Sequence, residues 1–79
     1  MTHNLLPLSL LANGQIAVIR QVMGTPEHVH RLHEMGLRGG AEIEMMQSGS
    51  PCIIRLDGHK LCFRDDEATR VLVEMGAVA

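Results

Sequence analysis

The dipeptide Asp57-Gly58 stands between two five-residue runs, Cys52–Leu56 and His59–Phe63, that are rich in apolar and β-branched residues. Asp followed by Gly readily supplies the two successive positive φ angles of a type I′ turn, whose twist matches that of the strands it joins. The chain therefore reverses here as a two-residue hairpin. That turn sets a register in which Ile54 faces Leu61 and Cys52 faces Phe63 on one side. Ile53 with Cys62, and Arg55 with Lys60, fall on the other. The two cysteines point to opposite faces and are expected to stay unbonded. Like charges at Arg55 and Lys60 are mildly unfavourable, which leaves a longer loop as the alternative.

The remaining elements are read outward from this hairpin. Leu5 to Leu11 reads as a lead-in with one turn of helix started by Ser9, and Asn13-Gly14 as a turn. Gln15 to Val22 is a strand, with Ile16, Val18 and Val22 on one face and Ala17, Ile19 and Gln21 on the other. Thr25-Pro26-Glu27 starts a helix: a threonine N-cap, a proline where no amide hydrogen is needed, and an acid suited to the helix dipole. The helix is predicted to run to about Met35. Gly36 then takes the left-handed position that ends it, and Leu37 folds back on Leu32 as in a Schellman motif.

Gly39-Gly40 turns the chain into a half-buried strand, Ala41 to Gln47, where Ala41, Ile43 and Met45 alternate with Glu42, Glu44 and Met46. Asp65 or Asp66 is expected to cap a short turn through Ala68, and Val71 to Val73 to form the last strand. About five strands and one real helix are too little helix for parallel βαβ units. A small, strongly bent antiparallel sheet closing into a barrel is the expected architecture.

At 79 residues the chain has room for a single core, so residues 1–79 are read as one domain. Its 46% hydrophobic content is too high for a disordered tail. Seven Lys plus Arg, a formal charge of −2 and a single aromatic, Phe63, speak against nucleic-acid binding. The apolar run from Leu5 to Ala12 is interrupted by Pro7 and Ser9, too short for a membrane span and without a signal peptide's basic start. With two free thiols expected, the reading is a soluble cytoplasmic protein not inserted in the membrane.

"RLHEMGLRGGAEIEMM", followed by "LDGHKLCFRDDEATRVLV", resembles the ferrous iron transport protein A (FeoA) family from about Leu6 to Glu74. The similarity rests on Arg31-Leu32, Met35-Gly36-Leu37 and Gly40, supported by Ala68, Val71 and Val73. It implies a mainly β fold: a small SH3-like barrel of about five antiparallel strands, with one short α-helix inserted after the first. It also implies an accessory role in bacterial ferrous iron uptake, through contact with the cytoplasmic GTPase portion of a membrane ferrous-iron permease (FeoB). Gly39 departs from the family, which often has proline there, and the clustered histidines His28, His30 and His33 are not part of its pattern.

On a helical wheel that starts at Glu27, His28 falls at about 100°, His33 at about 240° and His30 at about 300°. One helix cannot bring all three onto one ion. His28 lies towards the buried side set by Val29, Leu32 and Met35, whereas His30 and His33 could lend two ligands to Fe²⁺ or Zn²⁺, with the others from elsewhere, for example a second molecule. The alternative function is therefore a small metal-binding regulator or carrier, with a bridged dimer left open.

No cofactor is required by the pattern. It contains no G-x-x-x-x-G-K, no H-E-x-x-H and no spaced nucleophile and base, so an enzyme is not expected. A polyproline groove would need a row of aromatic side chains. The expected partner contacts are Leu32, Met35, Leu37 and Arg38, with mutual packing the competing reading for Leu32 and Leu37. Among the methionines, Met35 and Met45 are in phase with the core, and Met23 and Met46 are the candidates for exposed contact. Cys52 is expected in the core and Cys62 at the surface.

Overall fold

The computed structural model describes residues 5–49 and 51–75, with Asp65 and Asp66 as backbone only. The strands are β1 (Leu5–Pro7), β2 (Ile16–Val22), β3 (Glu42–Gln47), β4 (Cys52–Leu56), β5 (His59–Phe63) and β6 (Val71–Met75). Helix α1 (Pro26–Glu34) lies between β2 and β3, α2 (Asp65–Thr69) between β5 and β6, and a 3-10 turn spans Leu8–Leu10. The strands form one antiparallel sheet in the order β1-β6-β2-β3-β4-β5.

The β4–β5 hairpin has the register its turn dictates, with Ile54 opposite Leu61 and Cys52 opposite Phe63. Asp57 and Gly58 take φ angles of 53° and 80°. The loop stays at two residues although Arg55 faces Lys60, and Glu44, opposite Arg55 on β3, brings Oε1 to 3.8 Å from Arg55 Nη1. A carboxylate on the neighbouring strand offsets the like-charge pair. Cys52 is buried and Cys62 exposed, and no disulfide joins them.

A single core fills the inside of the sheet. It takes Ala17 and Ile19 from β2, Ile43 and Met45 from β3, Cys52, Ile54 and Leu56 from β4, Phe63 from β5, and Val71 and Val73 from β6. Leu8 and Leu11 close one side with Ala68 of α2, and Leu32 and Leu37 close another. Two bulges bend the sheet, at Arg20 on β2 and Met46 on β3, each adding a residue against its partner strand and raising the local twist.

The bulge at Arg20 corrects the reading of β2. Strict alternation put Val22 on the face opposite Ile19; the extra residue resets the phase, so Val22 packs against the core and Gln21 is exposed. The sheet also has a sixth strand. The lead-in forms β1, which pairs with β6 at the edge of the sheet, a place where proline is tolerated. Its helical turn spans Leu8–Leu10 and begins after Pro7 rather than at Ser9. The turn before β6 is a short helix whose N-cap is Arg64, not Asp65 or Asp66; Glu67 Oε1 accepts the Arg64 amide at 3.3 Å.

Candidate functional site

Helix α1 begins as its sequence directs. Thr25 is the N-cap, its Oγ1 accepting the His28 amide at 3.3 Å, and Pro26 takes the first helical position. Its end is a complete Schellman motif. Gly36, at φ +103°, donates to the His33 carbonyl at 3.0 Å, and Leu37 donates to the Leu32 carbonyl at 3.0 Å. Gly40 then ties the connection to β2 through its amide on the Ile19 carbonyl at 2.7 Å, and Ile19 returns a bond to Ala41 at 2.8 Å.

This geometry sorts the expected contact residues. Leu32 and Leu37 are buried in the core. Met35 is half-buried against it, and Arg38 is exposed. Arg38 is nonetheless oriented: its Nε donates to the His33 carbonyl at 3.0 Å, placing a cation on the negative end of α1. Met35 and Arg38 therefore remain as surface at the helix end. Met23 is exposed at the end of β2 and Met46 half-buried.

The histidines separate as the wheel required. His30 is exposed, with Nε2 3.5 Å from Glu34 Oε2 one turn on, and His33 is exposed as well. Among the described residues no group of three or more His, Cys, Asp or Glu is placed to hold a metal ion. His28 turns inward, and its Nε2 is shielded from water without a hydrogen-bond partner. An unsatisfied buried polar atom costs about 1–3 kcal/mol, so its environment is a feature to explain.

His28 also lines a cleft of about 350 Å³ between α1 and α2, together with Arg31, Arg64, Glu67 and Arg70. Arg64 and Arg70 flank the two ends of α2, and the Arg70 carbonyl accepts the Met23 amide at 2.8 Å, which pins it to the end of β2. Sequence reading missed this cluster. Its members lie up to 42 positions apart (28 to 70), and the sequence clue, arginines on both sides of Asp65-Asp66-Glu67, gains meaning only once α2 is docked beside α1.

No helix among the described residues is long and apolar enough to cross a membrane. A comparison with curated proteins gave no match. Among solved structures, an iron uptake regulatory protein, FeoA, superposes with a TM-score of 0.83 at 29% identity, covering 89% of this chain and 96% of that one. The FeoA protein from Chlorobium tepidum gives a TM-score of 0.84 at 29% identity over 91% of this chain and 71% of its own. FeoA of Stenotrophomonas maltophilia, solved with zinc and described as a prokaryotic SH3 domain protein, gives 0.75 at 26% identity over 87% and 89%. The fold is thus the SH3-like one of these proteins. The family model described as the FeoA domain matches residues 6–75, nearly the whole chain, and the chain belongs to the FeoA family, which is associated with ferrous iron transport.

Proposed function

We propose that this chain is a cytoplasmic accessory protein of bacterial ferrous iron uptake, without catalysis of its own, that contacts the GTPase portion (FeoB) of a membrane ferrous-iron permease. The observation that carries the reading is the family match across residues 6–75. Further support comes from the end of α1, where Arg38 is held on the His33 carbonyl beside half-buried Met35. A fixed cation next to a flexible apolar side chain suits a protein contact.

Titration of the chain against the purified GTPase portion, with and without guanine nucleotide, tests this. Saturable binding that Arg38→Glu weakens about tenfold is expected. Absence of binding in every nucleotide state, with normal iron uptake in a deletion strain, would overturn it.

A second reading, a small metal-binding regulator or carrier, draws on the zinc bound to the Stenotrophomonas maltophilia protein and on exposed His30 and His33. Two imidazoles on one helix supply at most half of a tetrahedral zinc set, so the rest would come from a second molecule. Zinc or Fe²⁺ titration of the protein and of His30→Ala separates the cases: equal, weak binding by both rejects this reading.

A further inference from the structure

We infer that the cleft between α1 and α2 is a binding site for a phosphate-type oxyanion. Three of the seven Lys and Arg, in a chain whose formal charge is −2, meet in this one cleft. They reach it from three places: Arg31 on α1, Arg64 ahead of α2, and Arg70 behind it. Among the described residues the ion pairs are Arg20 with Glu74, His30 with Glu34 and Arg55 with Glu44, none of which involves a cleft arginine.

Gly24 stands next to two residues of the lining. A Cβ on Gly24, at φ +134°, would lie 3.4 Å from His28 Cδ2 and 3.6 Å from Arg70 Nη1. The imidazole and the guanidinium thus both approach the same glycine. His28 Nε2 there lacks a partner.

Charge and donor number select phosphate over carboxylate. Among the described residues of the lining, three guanidinium groups stand against the one carboxylate of Glu67, an excess of positive charge that suits a phosphate group. Three guanidinium groups offer more donors than the two coplanar oxygens of a carboxylate use, whereas a phosphate has acceptors for more of them. At about 350 Å³ the cleft also exceeds a bare phosphate, leaving room for a group that carries it. This inference is independent of the permease reading.

The test is a titration of the ¹⁵N-labelled protein at constant ionic strength with inorganic phosphate, guanosine diphosphate, sodium chloride and a glutamate-rich peptide. Saturable shifts at Gly24, His28, Arg31 and Arg70 with phosphate or the diphosphate, weakened about tenfold in Arg31→Gln and Arg70→Gln and unchanged in Arg38→Gln, are expected. Tighter binding of the diphosphate assigns a phosphate carried on a small molecule, and equal binding assigns the free anion. Shifts that chloride reproduces, a response to the peptide but not to phosphate, or unchanged affinity in both cleft variants would overturn the inference.

Discussion

Gly36 lies against Leu56 so closely that a Cβ on the glycine would stand 2.7 Å from Leu56 Cδ2. The end of α1 and the end of β4 are thus seated on each other through the one residue that has no side chain. Gly36 is also at φ +103° and completes the Schellman motif, so two demands coincide at one position. Gly36→Ala is expected to cost about 2–3 kcal/mol, part backbone strain and part overpacking. Urea unfolding measures the loss. In the double variant with Leu56→Ala the combined cost should fall short of the sum, because the smaller residue removes the clash; simple additivity would argue against the close approach.

The hairpin turn offers a sharper comparison. Asp57 at φ 53° and Gly58 at φ 80° are both left-handed. Asn tolerates that region at least as well as Asp, whereas Ala pays about 1–2 kcal/mol. Asp57→Asn should leave the thermal midpoint within a few degrees, and Gly58→Ala should lower it by about 5–10 °C for a domain of this size.

The thiols should differ in reactivity. Cys62 is exposed on β5, while Cys52 is fully buried with Sγ 3.7 Å from Met45 Sδ. A colourimetric disulfide reagent should titrate one thiol in the native protein and two in denaturant. Two fast native equivalents would contradict the packing around Cys52.

The bridge between β2 and β6, Arg20 Nε to Glu74 Oε1 at 2.6 Å, is short but carried by side chains 49% and 27% exposed. Solvent screens such a pair, and Arg20→Gln is expected to cost at most about 1 kcal/mol, less at high salt. A loss several times larger would mean that Arg20 supports the bulge as well as the ion pair.

Elements set by local chemistry were legible in the sequence. Thr25-Pro26 starts α1, Gly36 stops it, and Asp57-Gly58 fixes the hairpin register residue by residue, because capping and left-handed turns depend on a few neighbouring φ angles. The inward turn of His28 also followed from helical spacing alone.

Long-range pairing was not legible. Nothing local marks Leu5–Pro7 as a strand; it exists because β6 offers it an edge. The bulge at Arg20 reverses the phase of Val22, and a bulge is defined by the partner strand, not by its own residues. The contact surface was read as four residues, of which the core takes Leu32 and Leu37, while Arg31, Arg64 and Arg70 come together only when α2 docks near α1. Sequence determined where this chain turns, caps and buries its regular faces, since those are decided within a few bonds. Tertiary structure alone decided which side chains share a cleft, because that depends on distances between segments the sequence keeps tens of residues apart.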